Sequence, residues 1–205
     1  MKFLIPFLVI AALQTGLAQT PKDTPMNDKK TQSVTLGGGC FWCMEALYSA
    51  VNGVTVATPG YAGGKIPNPT YEMVCTGRTG HAEVVHVEFD PSVISYDEIL
   101  NLFWKAHDPT TLNQQGADHG TQYRSIIITT NDTEKAIAEK SKAAAQKDFK
   151  QPIVTEITVD KPFYPAEKYH VDYYKNHPEE GYSSYVIEPK LEKFKKELKE
   201  RKELK

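Results

Sequence analysis

The chain has 205 residues, of which 40% are hydrophobic and 24% charged, with 13 Gly and 13 Pro. That balance excludes collagen-like, coiled-coil and disordered chains and fits a single globular domain. The net charge of −2 leaves no basic footprint for nucleic acid and no polybasic membrane patch, and 3 Cys are too few for a disulfide-stapled scaffold.

In chain order, Met1-Lys2 is a short basic segment and residues 3–13 are apolar but too short to span a bilayer. Gly16 and Ala18 put small residues at the −3 and −1 positions of a cleavage site. Residues 1–18 therefore read as a secretory signal peptide, which implies an exported, periplasmic or extracellular protein with no membrane segment once cleaved. Residues 19–33, polar with Pro21 and Pro25, read as a flexible leader ahead of a domain over 34–189.

Val34-Thr35-Leu36 predicts a strand and Gly37-Gly38-Gly39 a sharp turn. A helix with Met44, Leu47 and Val51 on one face follows, stopping at Asn52-Gly53. Residues 54–57 predict a strand closed by Pro59-Gly60, and residues 60–81 a long Gly- and Pro-rich loop. Residues 83–89 alternate, with Glu83, Val85, Val87 and Phe89 on one face and Val84, His86 and Glu88 on the other, so His86 is expected at the surface. Ser95 and Glu98 form a capping box for a helix striped by Ile99, Leu102, Phe103 and Ala106, ending near His107.

A polar loop over 108–123, a strand over 125–130, a helix over 133–149 and a strand over 153–159 complete the pattern. Residues 160–187 lack periodicity. Their tyrosines, Tyr164, Tyr169, Tyr173, Tyr174, Tyr182 and Tyr185, read as packing over the core. Residues 190–205 read as a charged helix on the domain's flank, striped by Leu191, Phe194 and Leu198. The order implies an α/β two-layer sandwich: a mixed sheet with a split β-α-β, ferredoxin-like core and helices on one face.

The chemistry concentrates in Gly39-Cys40-Phe41-Trp42-Cys43. Cys40 sits between a glycine turn and a helix start, where free N–H groups and the helix dipole favour thiolate. Cys43, one helical turn on, is spaced to attack an oxidised Cys40 and close a disulfide. The spacing alone also admits a structural disulfide, or a metal site using Cys40, Cys43, Cys75 and His81. Phe41 and Trp42 suggest an apolar recess suited to a methyl or thioether group. Glu83 shares its face with Val85, Val87 and Phe89. Burial there raises a carboxyl pKa and fits it to deliver a proton near neutral pH.

Four motifs then occur in order: Gly39-Cys40-Phe41-Trp42, Pro67-Asn68-Pro69-Thr70-Tyr71, Gly80-His81-Ala82-Glu83 and Asp118-His119-Gly120-Thr121-Gln122-Tyr123-Arg124. Together they resemble the A-type peptide-methionine (S)-S-oxide reductases. The resemblance spans about Val34 to Ile187. It implies Cys40 as nucleophile, Phe41 and Trp42 around the substrate methyl, and Glu83 as proton donor. It further implies Tyr71 and Tyr123 as hydrogen-bond donors to the sulfoxide oxygen, Asp118 as an orienting group, and Cys43 as the resolving cysteine. Cys75 is read as a buried or spare thiol, and His81 and His119 as loop-shaping. The implied substrate is the S epimer of methionine sulfoxide, free or in oxidised proteins. No metal or organic cofactor is implied. The implied reductant is a thioredoxin-like protein or a dithiol, and the expected state is a monomer. A thioredoxin-like disulfide exchanger and a binding module with an inert disulfide are the competing readings.

Overall fold

The computed structural model describes Met1 and residues 31–205. The signal peptide and most of the leader thus lie outside the described residues. The sheet is built around β1 (Gln32–Gly37) and β3 (Ala82–Phe89), which pair antiparallel with Val34 opposite Val87. On the far side of β3 lies β2 (Val54–Ala62), and on the far side of β1 lies β6 (Ile126–Thr129), both antiparallel to their neighbours. β1 and β2 are therefore parallel to each other and joined through α1 (Phe41–Ser49), with β3 inserted between them. β3 and β6 repeat the arrangement around β1 through α3 (Tyr96–Ala106). These four strands make the expected split β-α-β core.

Two short hydrogen-bonded pieces, β4 (Gln114–Gln115) and β5 (Asp118–His119), form a hairpin in the 108–123 segment. α4 (Asp132–Ala145) carries the chain to β7 (Glu156–Val159), which joins β6 in parallel, and β8 (Phe163–Pro165) closes the opposite edge on β2. The remaining helices are α2 (Tyr71–Cys75), α5 (Tyr173–Asn176) and α6 (Glu188–Arg201).

The period-2 pattern of β3 sends Val85, Val87 and Phe89 into the main core against α1 and α3, all fully buried. Each such side chain contributes about 1.5–3 kcal/mol of burial. Its other face is not bare: Ala82 and Val84 join Ala62, Ile126, Ile128 and Phe163 in a second small cluster, so His86 is half-buried and bonded to Thr35 rather than free at the surface. The capping box forms as read, with Ser95 Oγ accepting from the Glu98 N–H and Glu98 from the Ser95 N–H.

Several expected boundaries move. β2 does not stop at Pro59-Gly60; it runs on to Ala62. The Pro59 carbonyl accepts from the Ala166 N–H, so its missing N–H also faces the β8 edge and no bond to β3 is lost. The loop after it is shorter than expected and holds α2, capped by the Thr70 hydroxyl. The helix expected over 133–149 ends at Ala145 in a 3₁₀ turn. β7 starts at Glu156 because the Ile153 N–H is taken by Gln146 and the Val154 N–H by the Pro109 carbonyl. α6 buries Leu191, Phe194 and Leu198 in the main core.

Candidate active site

Gly37 ends β1 where a Cβ would lie 2.7 Å from Ile126 Cγ2 and 2.9 Å from the Glu83 carbonyl oxygen. That close approach needs glycine. Gly39, at φ +97°, takes a left-handed conformation that L side chains resist. The turn delivers Cys40 to the head of α1, its carbonyl accepting from the Cys43 N–H at 3.1 Å and the Met44 N–H at 3.3 Å. From the neighbouring strand β3, Glu83 reaches the same place, and the Phe41 N–H donates to its carboxylate at 3.1 Å.

That last bond overturns one expectation. The first free N–H of α1 serves Glu83 and no backbone group caps the Cys40 side chain. Cys40 is only 7% exposed. Burial first, then its hydrogen bond to Cys43 and the nearby Glu83 charge, push the Cys40 thiol up rather than down. Cys43 moves the other way: it accepts from the Cys40 thiol, with Lys190 and Tyr182 assisting and burial opposing. The hydrogen bond between the two sulfurs thus runs from the Cys40 thiol to Cys43.

Glu83 is 1% exposed, and burial pushes its carboxyl up to about 8; the Phe41 N–H opposes this, and the charges of Asp118 and Cys43 add to it. A group with that value holds its proton at neutral pH.

The structure places Phe41, Trp42, Tyr71, Tyr123 and Asp118 around this pair. Phe41 is fully buried as a floor, its ring centroid 4.9 Å from His170, 5.8 Å from Tyr61 and 6.4 Å from Tyr71. Trp42 is half-buried and stacks on Tyr173 at 3.6 Å. Burial above all raises the Tyr71 and Tyr123 phenols, and the Glu83 charge adds to both, so each is a neutral donor. Arg124 fixes the lead-in to β3, donating to the Gly80 carbonyl at 3.1 Å and the Thr121 carbonyl at 3.0 Å while pairing with Glu156.

Part of the wall comes from the tyrosine-rich segment read as packing over the core, with one tyrosine open to a pocket. Tyr182 donates to Asp118 at 2.7 Å and also hydrogen-bonds Cys40 and Cys43. His170 accepts the Trp42 indole N–H at 3.1 Å. Glu167 accepts from the Tyr71 N–H at 2.9 Å and the Tyr61 hydroxyl at 2.8 Å. The only sequence signal for these was a dense run of Tyr and His with no periodicity, which a purely structural packing role does not require. Cys75 is exposed, not buried, and its sulfur takes the Tyr71 hydroxyl. His81 spends its ring nitrogens on Gly64 N–H and the Ile66 carbonyl, which leaves none for the metal arrangement considered above. Among the described residues no group of three or more His, Cys, Asp or Glu could hold a metal.

The assembled chemistry is a buried protonated acid beside one thiol, a second thiol already hydrogen-bonded to the first, and an aromatic wall. It can attack an electrophilic sulfur, protonate an oxygen on it, and close a disulfide.

The model of the peptide methionine sulfoxide reductase family matches residues 32–203. A peptide methionine sulfoxide reductase MsrA from Polynucleobacter asymbioticus is 49% identical over 178 residues, covering 86% of this chain and 94% of that one. Mxr1 from Saccharomyces cerevisiae in reduced form superposes with a TM-score of 0.71 at 35% identity, covering 78% of this chain and 91% of that one. Mxr1 in complex with Trx2 gives a TM-score of 0.50 at 25% identity, over 74% of this chain and 91% of that one.

Proposed function

This chain belongs to the peptide methionine sulfoxide reductase family and reduces methionine sulfoxide with electrons from thiols; we propose that Cys40, Glu83 and Cys43 divide that reaction between them. The observation that carries the division is the buried Glu83 carboxyl, held on the Phe41 N–H beside Cys40 and protonated at neutral pH. Protonating Glu83 removes one of the charges that disfavour a Cys40 thiolate. Once Cys40 gives up its proton the pair matches the reaction, with negative charge on the attacking sulfur and a proton waiting for the oxygen.

The Cys40 thiolate attacks the sulfoxide sulfur while Glu83 protonates its oxygen. The oxygen passes to Cys40, methionine leaves, and Cys40 becomes a sulfenic acid. Cys43 attacks that sulfur, closes the Cys40–Cys43 disulfide and releases water. Tyr71 and Tyr123 donate to the sulfoxide oxygen, and Asp118, fixed by Tyr182, orients the substrate. Phe41 and Trp42 receive its methyl group, whose burial and sulfur–aromatic contact are together worth on the order of 1–2 kcal/mol. The substrate is the S epimer, free or in oxidised proteins, as the four sequence motifs imply. A thioredoxin-like protein or a dithiol reduces the disulfide, a reading supported by the yeast relative's complex with Trx2.

Incubation with a methionine sulfoxide peptide and dithiothreitol should remove about 16 mass units from the peptide, one oxygen on the sulfoxide-to-thioether step. No loss of mass would overturn the assignment. The leader exports the chain, and cleavage after Ala18 leaves a monomer beginning at Gln19. N-terminal sequencing of exported protein checks this, and cytoplasmic protein still beginning at Met1 would refute it.

A further inference from the structure

A group outside the four sequence motifs touches the resolving cysteine. Lys190, in the first turn of α6, places Nζ 3.9 Å from Cys43 Sγ. Burial of Leu191, Phe194 and Leu198 fixes the helix that carries it. The lysine arm also lines a cleft of about 530 Å³ with Lys105, Lys193 and His107. Among the described residues no carboxylate lies within ion-pair reach of Lys190.

We propose that Lys190 is a positioning residue for the second half-reaction: its ammonium holds Cys43 as the thiolate that attacks the Cys40 sulfenic acid. This rests on the functional reading above and deepens it.

The groups facing Cys43 are Cys40 at the head of α1, Glu83 on β3, Asp118 on β5, Tyr182 ahead of α6, and Lys190. Asp118 brings negative charge, and so does Glu83 once it has given its proton to the sulfoxide oxygen, and both oppose a thiolate there. Tyr182 is neutral and gives its proton to Asp118, and Lys190 alone among these groups brings a full positive charge. His107, beside Lys190, is buried and pushed down to about 4, so it is neutral at physiological pH. In the reduced protein the Cys40 thiol is the largest of the influences that favour a thiolate at Cys43. Oxidation of Cys40 replaces that S–H with S–OH, so the S–H···S bond is gone at the step in which Cys43 must attack. Lys190 remains.

In that step the Cys43 sulfur forms the S–S bond and the Cys40 S–O bond breaks. Cys43 is oxidised and Cys40 reduced, each to the disulfide level. The oxygen leaves as hydroxide and takes a proton to become water.

An opposite charge at this range lowers a thiol pKa by about 1 unit or more. Removing it cuts the thiolate fraction about tenfold at neutral pH. The more basic thiolate is intrinsically about threefold more nucleophilic, because reactivity rises with pKa at a Brønsted slope of about 0.4–0.5. Lys190→Met should therefore close the disulfide about threefold more slowly at neutral pH. At alkaline pH, where both proteins are fully thiolate, it should close about threefold faster.

The test is a single turnover with methionine sulfoxide and no reductant. Methionine release is followed by chromatography, and disulfide closure by acid quench, alkylation and mass. The expected result is stoichiometric methionine release with closure curves that cross as pH rises, and recovery of the neutral-pH rate in Lys190→Arg. Closure in Lys190→Met at the wild-type rate across the range would overturn the proposal. So would an equal slowing at every pH, the mark of a merely structural lysine. Failure of the wild-type protein to release methionine would instead overturn the functional reading on which the proposal rests.

Discussion

Glu83→Gln separates the proton from the shape of its side chain. Gln keeps an oxygen to accept the Phe41 N–H now bonded at 3.1 Å, so the α1–β3 junction and substrate binding should survive. What it lacks is a proton to give. With the wild-type carboxyl pushed up to about 8, about nine-tenths of the enzyme carries that proton at pH 7 and only about one-tenth at pH 9. A positioned general acid supplies about 10²–10⁴-fold, or roughly 3–5 kcal/mol of barrier. The loss should fall almost entirely on the reduction step and leave binding nearly unchanged.

The pH dependence gives the sharper readout. The wild-type reduction rate should decline above about pH 8 as Glu83 ionises and its charge turns against the Cys40 thiolate. In Glu83→Gln that alkaline limb should vanish, and the small residual rate should rise with pH as Cys40 ionises. The assay is the single-turnover rate of methionine release from pH 5 to 10. A Glu83→Gln protein working at the wild-type rate across that range would refute Glu83 as the acid, and the proton source would then be Tyr71 or Tyr123.

Three other outcomes follow from the same geometry. Cys43→Ser should still release about one methionine per enzyme without reductant, while multiple turnover with a thioredoxin-like donor collapses; full turnover would hand the resolving role to exposed Cys75 or an external thiol. Trp42→Ala removes both the methyl's wall and the partner of Tyr173 and His170, so kcat/KM should fall about tenfold or more, and an unchanged value in a folded variant would make the ring purely structural. Glu45 is 3% exposed and burial pushes it up to about 7, so its stability contribution is present at low pH and lost as pH rises from about 4.3, its unfolded value, through 7. Glu45→Gln should therefore stabilise the fold at pH 8 by about 1–2 kcal/mol, with no gain at pH 4; equal melting temperatures for the two proteins at pH 8 would refute this.

What was legible in the sequence was what local pattern can encode. The phase of β3 put Glu83 on the core face because one-residue register errors would turn Val85, Val87 and Phe89 to the wrong side. Ser95 and Glu98 announced their helix because a capping box is closed within four residues. What stayed hidden depends on contacts between distant segments. Burial by distant segments, more than its place at the head of α1, pushes the Cys40 thiol up, and the Glu83 that takes the Phe41 N–H arrives from another strand. Tyr182, His170 and Glu167 reach the site from a segment without period, placed by the packing of β8 on β2 and of α6 on the core and by bonds to distant residues such as Tyr61, Trp42 and Asp118. Pro59-Gly60 misled for the same reason. A break signal is overridden when the missing N–H faces the sheet edge.

Proton placement ties these contacts to the order of the reaction. Burial makes ionising Glu83 and Cys40 together costly, so both hold their protons at neutral pH and the proposed reaction ionises Cys40 alone. Sulfoxide reduction consumes that arrangement: the thiolate attacks and the proton follows the oxygen. The product sulfenic acid is neutral and the negative charge moves to Glu83, held on the Phe41 N–H, so the next thiolate, three residues on, needs a charge partner of its own. There the hydrogen bond from the Cys40 thiol is replaced by the ammonium of Lys190, 3.9 Å from the Cys43 sulfur. Negative charge thus passes along α1, from a cysteine hemmed in by a carboxyl to one faced by a cation. The acid sits where oxygen leaves the substrate and the cation where the disulfide forms. The asymmetry of the two cysteines, rather than the acidity of either, sets the direction of the cycle.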